Sequence, residues 1–466
     1  MPSVAPPSPA TRDQVDAYRF GLRRWEAALV RGDPVPLHEQ VRAQRRAVAA
    51  GIVLGVLGLA AALVSAVVAP RPAWRTEDLV VGTPSGALYV VAHDPDRLVP
   101  VANAVAGRLV LAALRSAPVL TDPVLVDDGM LAEAPRTAAA AVAGAVGADP
   151  QRRVVPRWAV CDEATPAGRL LGTTVLAGVA AGSEEPAGVL LAVPGGATWL
   201  VTGGRRHRVD LGDAAARTAL GLTGRVARPA SPGLVSALLE GPPLIRPVVP
   251  GAGAPGPRGL RARVGDVVSS RPAGAAPRYH VVLDGGLQEV PPLVADVLAA
   301  ASGNAVTGFG PEVIADLPSV HRLDVAGWPA VAPTLREPAE APVTCWTWSG
   351  EPGADPVGGV HLGRMPGVEP TVVLAAADGP GARVDAVAVG AGGAVRATAP
   401  GVPAGAGTVW LVSASGVANG VADQASAAAL GMTDPAPAPE AALRLLPTGP
   451  VLDVAGATGA VDVLAR

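Results

Sequence analysis

The stretch AVAAGIVLGVLGLAAALVSAVVA, from Ala47 to Ala69, decides how the rest of this 466-residue chain is interpreted. It contains 23 residues and no charged side chain, and at about 1.5 Å per residue such a helix exceeds the roughly 30 Å hydrocarbon core of a bilayer. Arg42, Arg45 and Arg46 stand directly before it. Because Lys and Arg concentrate on the cytoplasmic side of a membrane, we expect a cytoplasmic N-terminus and roughly 400 residues on the other side.

Two alternatives to a membrane-spanning helix exist for this stretch. A cleaved signal peptide would fit Val67 and Ala69 as cleavage-site residues, but the leader and the apolar run are both too long for that pattern. A buried core helix rarely needs an uncharged run of this length. The same stretch places Gly51 and Gly55 in a G-x-x-x-G spacing, which permits close packing of two membrane helices.

The composition predicts a folded chain with many turns. Apolar residues make up 49% of the chain, and 57 glycines and 49 prolines divide it into short elements. Its length exceeds what one hydrophobic core usually supports, so two or more domains are expected. The net charge of −3 gives no electrostatic reason to expect nucleic-acid binding. All 37 basic residues are arginine, which indicates a high-GC coding bias and an actinobacterium-like source.

The residues before the membrane stretch predict one amphipathic helix. Thr11 and Gln14 form a T-x-x-Q capping box. Apolar residues then follow at alternating spacings of three and four, which places them on one helix face: Val15, Tyr18, Leu22, Trp25 and Leu29. Since a short cytoplasmic segment cannot bury this stripe on itself, we expect the helix to dock in a groove of a partner protein. Attachment to the lipid surface is the alternative.

One local pattern occurs four times beyond the membrane stretch: an aromatic within an apolar strand, a turn, a second short strand and an Ala-rich helix. We interpret each occurrence as a β-hairpin with a helix behind it. The first strands are ALYVV at 87–91, ATWLV at 197–201, RYHVV at 278–282 and TVWLV at 408–412, with the aromatic anchors Tyr89, Trp199, Tyr279 and Trp410. The uneven spacing of the anchors argues against a solenoid with one fixed period.

Longer matches indicate two duplicated halves. The run ALGLT at 219–223 recurs as ALGMT at 429–433. Each half then contains a Tyr repeat, a Cys-containing segment and a Trp repeat, in that order. The run GPPLIRPVVPGAGAPGPRG at 241–259 connects the halves, and its proline density favours extended, semi-rigid backbone.

The only two cysteines, Cys161 and Cys345, lie in the strand-like segments RWAVCD and VTCWTW. With the predicted membrane orientation, both face an oxidising compartment in which disulfides persist. We expect them to pair across adjacent central strands of the two halves, and loop-closure entropy makes such a link worth roughly 5 kcal/mol. Two free buried thiols are the alternative.

No catalytic motif is recognisable in the sequence. The chain contains no lysine, which a Walker-type phosphate loop needs. The run 251–256 matches G-x-G-x-x-G but follows a proline-rich segment and opens no helix. The six histidines are scattered, and the paired acids are expected to be solvated: Asp127, Asp128, Asp162 and Glu163. We therefore expect no enzyme, cofactor or metal.

Six segments together form a specific pattern that spans nearly the whole chain. They are TRDQVDAYRFGLRRWEAALVRGD at 11–33, LHEQVRAQRRAVAAG at 37–51, VVGTPSGALYVV at 80–91, WAVCDE at 158–163, VARPASPGLVSALLEGPPL at 226–244 and PGAGAPGPRGLRARVGDVV at 250–268. With the two lone cysteines, they resemble the EccB family, a membrane component of actinobacterial type VII (ESX) secretion systems.

The resemblance implies a single transmembrane helix and a multi-domain α+β extracytoplasmic region. Four small repeats would surround a central, mainly-β domain that contains the disulfide. The expected division is 1–46 cytoplasmic helix segment, 47–69 transmembrane helix, 76–130 first repeat, 131–195 first half of the central domain, 196–245 second repeat, 246–261 connector, 262–325 third repeat, 326–400 second half of the central domain and 401–466 fourth repeat.

The resemblance also implies a function and partners. The protein would be a non-catalytic structural component of the inner-membrane secretion complex, with EccC, EccD and EccE type subunits as partners and with self-association. Its N-terminal helix would dock on cytoplasmic partner domains. The alternatives are a cell-wall anchor that binds peptidoglycan through the repeats, or the ATPase activity that some family members are labelled with and that no motif here supports.

Overall fold

The computed structural model describes residues 10–31, 38–68, 73–142, 145–178, 187–350, 356–366, 371–403 and 405–459. The chain divides into two compact units, Met1–Pro72 and Ala73–Arg466. Each unit is described by itself below.

The first unit consists of two helices, α1 (Arg12–Arg31) and α2 (His38–Val68). At the start of α1, the backbone N–H of Thr11 donates to the side-chain oxygen of Gln14 at 3.1 Å, one arm of the expected capping box. Within the described residues, α2 is the one helix long and apolar enough to cross a membrane, over Gln44–Ser65 with a mean hydropathy of 2.6. Ala69, the expected end of the span, lies outside the described residues.

Residues 73–245 of the second unit form a first small sheet, two central strands and a second small sheet. After a 3-10 helix at Trp74–Thr76, the first small sheet and its helices are β1 (Leu79–Thr83), β2 (Leu88–Ala92), β3 (Arg97–Val101), α3 (Ala104–Arg115), β4 (Val124–Asp127) and α4 (Asp128–Ala132). The central strands are β5 (Arg157–Ala164) and β6 (Leu170–Ala177). The second small sheet and its helices are β7 (Ala187–Ala192), β8 (Thr198–Thr202), β9 (Arg205–Val209), α5 (Ala214–Ala219), β10 (Arg228–Pro229), α6 (Pro232–Ala237) and β11 (Leu239–Glu240).

The later residues form a third small sheet, the other central strands and a fourth small sheet. The third comprises β12 (Val267–Ser270), β13 (Arg278–Leu283), β14 (Gly286–Val290), α7 (Pro292–Ser302), β15 (Thr307–Phe309) and α8 (Pro311–Ala315). Next comes β16 (Thr334–Leu335), which pairs with β7 of the second sheet. The central strands follow: β17 (Val343–Ser349), β18 (Val357–Gly363), β19 (Val372–Val373) and β20 (Ala386–Ala388). The fourth comprises β21 (Gly393–Thr398), β22 (Val409–Val412), β23 (Ala418–Gly420), α9 (Gln424–Ala429), β24 (Ala436–Pro439), α10 (Glu440–Leu443) and a 3-10 helix at Ala455–Thr458.

The four small sheets share one strand order. Three consecutive antiparallel strands are followed by a helix, and a short fourth strand then pairs parallel with the first. The order is β3-β2-β1-β4, β9-β8-β7-β10, β14-β13-β12-β15 and β23-β22-β21-β24, and the second sheet has two further strands, β11 beside β9 and β16 beside β7. The sequence pattern predicts only the second and third strands and the helix. It misses the fourth strands because two to four residues are too few to show a periodicity.

Capping residues determine where the helices after the third strands begin. The side chain of Asn103 accepts a hydrogen bond from the Ala106 N–H at 2.9 Å, and Asp423 accepts one from the Ser426 N–H at 2.7 Å. Asp213 caps α5 in the same way. These side chains satisfy N–H groups that have no partner within the helix. The corresponding helix of the third sheet starts instead with Pro292, whose fixed φ suits the first helical position.

The central sheet has the order β18-β17-β5-β6-β20-β19. Its two inner strands, β5 and β17, come from distant parts of the chain and pair antiparallel over seven residue pairs. One face of this sheet contributes Trp158, Val160 and Trp346 to an apolar core that also contains residues of the second and fourth small sheets. Two further cores join the first sheet with the fourth and the second with the third.

The observed sheets begin earlier than the expected repeats. β7 and β21 lie before the expected boundaries at 196 and 401, yet they pair with β8 and β22. The boundaries differ because the aromatic anchors stand in the second strand of each sheet, not the first.

The connector between the second and third sheets is also different from the expectation. Instead of running extended, it folds back on itself, with the Gly253 N–H donating to the Val264 carbonyl at 2.8 Å and the Val264 N–H donating to the Ala254 carbonyl at 2.9 Å. Leu260 is buried beneath this loop in the core of the third sheet. The glycines between the prolines supply the left-handed turns, as at Gly251 and Gly253.

Candidate functional site

A disulfide joins Cys161 of β5 to Cys345 of β17, as the sequence led us to expect. The two residues stand directly opposite each other in the antiparallel register, with their Cα atoms 4.0 Å apart, and both are fully buried. The link closes a loop between positions 184 residues apart. It therefore connects two segments that the chain itself joins only through the second and third small sheets.

The two faces of β5 and β17 have different roles. Cys161 and Cys345 lie in a small core with Leu176, whereas the tryptophans of the same strands point to the opposite, larger core. Because successive side chains of a strand alternate between faces, the single register of β5 with β17 puts the cysteines on one face and the tryptophans on the other. The tryptophan pair Trp158 and Trp348 is itself cross-strand.

A buried carboxylate follows Cys161 in β5 and lies on the opposite face of the strand. Asp162 is 4% exposed, and its oxygens accept hydrogen bonds from the Ser231 N–H at 2.7 Å, the Ser231 hydroxyl at 2.8 Å and the Thr173 hydroxyl at 2.8 Å. Ser231 is also the N-cap of α6, where its hydroxyl oxygen accepts from the Leu234 N–H at 3.0 Å. Asp162 therefore fixes the start of α6 to the central sheet.

Burial raises the pKa of the Asp162 carboxyl above its ordinary value. The hydrogen bonds from Ser231 and Thr173 oppose this effect by favouring the charged form, while the negative charge of Asp385 adds to it. Asp385 belongs to the same network, because it accepts a hydrogen bond from the Thr173 N–H at 2.7 Å.

A buried arginine makes a second contact between the sheets. Arg228 of β10 is 5% exposed, and its guanidinium donates to the Ala341 carbonyl at 2.8 Å, the Thr344 hydroxyl at 3.0 Å and the Arg336 carbonyl at 3.1 Å. Burial lowers the pKa of this guanidinium, and the charge of Glu337 partly offsets the effect. Arg228 thus holds the segment leading into β17 against the second sheet.

Sequence reasoning missed this polar cluster, and it placed Asp162 wrongly on the solvated surface. The carboxyl is buried because Ser231 and Thr173 supply its hydrogen bonds, and such partners make burial of a charge tolerable. Strand alternation offered a signal, since Asp162 shares the face of Val160 and Trp158. Among the described residues, no group of three or more His, Cys, Asp or Glu is placed to hold a metal ion.

The stripe expected to dock on a partner is fully displayed on α1. All five side chains are exposed, from 38% for Val15 to 82% for Leu29. Tyr18, Leu22 and Trp25 fall between these values. Phe20 is also exposed, but at about 100° per residue it lies roughly 140° around the helix from Val15.

The four aromatic anchors occupy one equivalent position in four separate sheets. Each is the second residue of the second strand: Tyr89 of β2, Trp199 of β8, Tyr279 of β13 and Trp410 of β22. Tyr89 is 9% exposed, and the other three are partly buried against the cores. Arg136 lies 5.3 Å from the ring centre of Tyr89, and Arg206 lies 4.6 Å from that of Trp199. The anchors therefore have packing roles: Trp199 and Trp410 pack against the same large core, whereas Tyr89 and Tyr279 belong to two other cores.

These features define a class of protein with one candidate membrane helix and a separate unit of four alike sheets around a disulfide-linked central sheet. A profile of the family described as "Type VII secretion system ESX-1, transport TM domain B" matches residues 8–466. The chain belongs to this family, EccB, which confirms the resemblance found in the sequence.

Relatives and solved structures are similar over almost the full chain. The ESX-5 secretion system ATPase EccB5 of Mycobacterium tuberculosis is 32% identical over 98% of this chain and 94% of the relative. The ESX-3 secretion system ATPase EccB3 of Mycolicibacterium smegmatis is 31% identical over 97% and 91%. A chain of an intact ESX-5 inner membrane complex matches with a TM-score of 0.71 and 30% identity, over 99% of this chain and 98% of that one. A chain of an EccB3 dimer from the ESX-3 core complex matches with a TM-score of 0.70 and 30% identity, over 82% and 100%.

Removal of the disulfide tests its contribution to stability. Replacing Cys161 and Cys345 together by alanine should lower the free energy of unfolding by roughly 2–5 kcal/mol, because the unfolded chain regains the entropy of a long open loop. Urea denaturation of the variant and of the oxidised protein measures the difference. Since both sulfurs are buried, mild reductant without urea should leave the disulfide of the folded protein intact. Equal unfolding free energies for the two proteins would contradict this role.

The buried carboxylate should make stability depend on pH. Because the pKa of Asp162 is raised from 3.8 in the folded protein, the folded state binds this proton more tightly than the unfolded chain does. The resulting stabilisation is complete below the unfolded pKa and is lost as pH rises through the folded pKa. We expect the unfolding free energy of the wild type minus that of Asp162→Asn to fall as pH rises from about 4 to about 8.

A matched control for this measurement is the exposed neighbour of Asp162. Glu163→Gln removes one carboxylate from the same strand, where the side chain is exposed, so its difference from the wild type should vary little over the same pH range. A pH-independent difference for Asp162→Asn, even a large one, would show that the variant only changes hydrogen bonding.

Proposed function

We propose that this protein is a non-catalytic structural component of the membrane complex of a type VII secretion system. The observation that carries the proposal is the match over 99% of the chain, at a TM-score of 0.71, to a chain of an intact ESX-5 inner membrane complex. The match includes both the candidate membrane helix and the sheet unit. The buried polar groups Asp162 and Arg228 are satisfied by neighbouring protein groups, which suits a rigid scaffold better than a site for chemistry.

The proposal assigns no ATPase activity, although relatives are named as ATPases. A phosphate loop uses a lysine to reach the phosphates, and this chain has none, since all 37 of its basic residues are arginine. The run 251–256, which matches a glycine-rich nucleotide motif, lies in the folded connector and precedes β12 rather than a helix. The known glycine-rich motif opens a helix, whose N-terminus binds the phosphates.

We further propose that the N-terminus is cytoplasmic and that the sheet unit is periplasmic. The arginines before the candidate span support this orientation. The disulfide supports it independently, because such bonds persist in oxidising compartments and are rare in the cytosol.

The sheet unit is best described as four repeats in two duplicated halves. Support comes from the shared strand order and from the equivalent position of the four aromatic anchors. The strand bounds favour starting the second repeat near Ala187 and the fourth near Gly393, with β5, β6 and β17–β20 as the central domain. The first half would then run through β11, and the second half would begin in the connector.

The proposed partners are the other membrane subunits of the complex, of the EccC, EccD and EccE type, and a second copy of this chain. The exposed stripe on α1 supports docking of a cytoplasmic partner. For self-association, one support is the dimer of the related EccB3 chain. Another is the open surface at Gly51 and Gly55, where an added methyl group would meet no atom of the described residues within 4 Å beyond its own helix backbone.

Reporter fusions test the proposed orientation. A reporter that is active only outside the cytoplasm should be active when fused after residue 459 and inactive when fused before Arg12, because the chain crosses the membrane once. A reporter that is active only in the cytosol should give the opposite pattern. Activity of a cytosolic reporter at the C-terminal fusion would contradict the proposed orientation. It would also contradict the proposal that the disulfide lies in an oxidising compartment.

Truncation of the α1 stripe tests partner docking. Trp25→Ala together with Leu29→Ala should reduce recovery of partner subunits with the affinity-tagged protein by roughly tenfold or more, because buried aromatic anchors dominate such interfaces. Phe20→Ala is the matched control, since it removes an exposed aromatic from the opposite side of the same helix. Quantitative mass spectrometry of mild-detergent purifications provides the measurement, and equal recovery for both variants would contradict docking through the stripe.

A further inference from the structure

We infer that the two halves of the sheet unit, residues 73–245 and 246–459, are mutual binding partners, and that their association, not the chain connection at 246–261, holds the unit together. The inference rests on the division into halves proposed above. It goes beyond duplication, because duplicated halves could equally well fold as two independent domains that only touch.

The apolar cores are shared between the halves. Of the six cores formed by the described residues, four contain residues of both halves. In the core between the first and fourth sheets, for example, Leu109 of α3 is buried with Leu411 of β22. In the core between the second and third sheets, Leu200 of β8 is buried with Val294 of α7. Each half alone would expose these residues, which is the behaviour of obligate partners and not of separate domains.

Strand pairing also crosses from one half to the other. β5 of the first half pairs with β17 of the second over seven residues, from Arg157 opposite Ser349 to Glu163 opposite Val343. β6 of the first half pairs with β20 of the second. Neither half can therefore complete the central sheet by itself.

The exchange between the halves is reciprocal. In the second half, the segment between the third sheet and β17 contains β16. This strand pairs in parallel with β7, the first strand of the second sheet, with Thr334 opposite Ala187. On the way from the first sheet to β5, the first half places Arg153 opposite Ala394 in the first strand of the fourth sheet, also in parallel. Equivalent segments thus make equivalent contacts in both directions, as in a two-fold symmetric dimer.

Buried polar contacts make the association specific. The guanidinium of Arg228, in the first half, donates to three acceptors that all belong to the second half: Arg336, Ala341 and Thr344. Asp385 of the second half accepts from the Thr173 N–H of the first. Separation of the halves would leave these groups without their partners, so any other pairing of the surfaces is disfavoured.

The connector contacts the first half near its start, where Arg246 Nε lies 3.1 Å from Asp213 Oδ2 and Val249 packs against the core shared by the second and third sheets. Within 246–261, Leu260 is the one buried residue, and it belongs to the core of the third sheet alone. Residues 250–254 are exposed throughout. A cut there removes no contact between the halves.

Controlled cleavage of the full-length protein tests the inference. A protease recognition sequence inserted between Gly251 and Ala252 allows cutting after folding, in a Cys161→Ser, Cys345→Ser background that removes the covalent link. We expect the cut fragments to co-elute at the volume of the uncut protein in detergent. After unfolding in urea and dilution, they should reassemble to the same elution volume. Separation on cutting, or refolding of either fragment alone as a stable monomer, would overturn the inference.

Two companion experiments keep the outcome interpretable. If the serine variant does not fold, the oxidised wild-type cysteines are retained in the cut protein, which is then unfolded with reductant and reoxidised. A band at the mass of the uncut protein on a non-reducing gel shows that the two fragments reassociated and re-formed the disulfide. Bands at the masses of the separate fragments show that they did not. The matched control is a cut in the exposed turn at Gly195, inside the second sheet. It divides one small sheet between fragments, so reassembly should be several-fold less efficient.

Discussion

The antiparallel pairing of β5 with β17 is the contact on which the rest of the sheet unit depends. It brings Cys161 opposite Cys345 on one face and places Trp158 and Trp348 in the large core on the other. Because strand side chains alternate, a slip of one residue would exchange the two faces and disrupt both features together. The disulfide therefore secures a register that the tryptophan core already requires.

The second and fourth sheets pack on this central pairing by different means. The second is fixed by buried polar groups, with Asp162 bound to Ser231 and Arg228 bound to the segment before β17. The fourth packs mainly through small and branched apolar residues such as Ala442 and Leu446. A buried charge adds little net stability but penalises every arrangement that leaves it unpaired. Buried polar side chains thus define the orientation of the second sheet, whereas the fourth is positioned by apolar packing and by backbone contacts such as the Ala394 N–H donating to the Arg152 carbonyl at 3.0 Å.

Such an architecture is suited to holding other proteins in place. The cores run across the halves without interruption, so a load applied to one small sheet reaches the others through packed side chains rather than through loops. In the described part of residues 1–72, an amphipathic helix with an exposed apolar stripe is followed by one helix long and apolar enough to cross a membrane. The family relationship places the same combination of parts in a secretion complex of the inner membrane.

The sequence by itself determined the features that depend on local composition or short spacings. A long uncharged run indicates a membrane helix, alternating apolar spacings indicate an amphipathic helix, and recurring aromatic strands mark the second strand of each sheet. The cysteine pairing was predictable because only two cysteines exist in a chain expected to face an oxidising compartment.

Only the tertiary structure decided which sheets pack together and which polar groups are buried. The two-residue strand β10 has no periodicity to detect, and its role depends on β7, far away in the chain. Strand alternation places Asp162 on a buried face, but the hydrogen bonds that make its burial tolerable come in part from Ser231, 69 positions later. Contacts of this range arise from the packing of whole sheets, so no local pattern of residues encodes them.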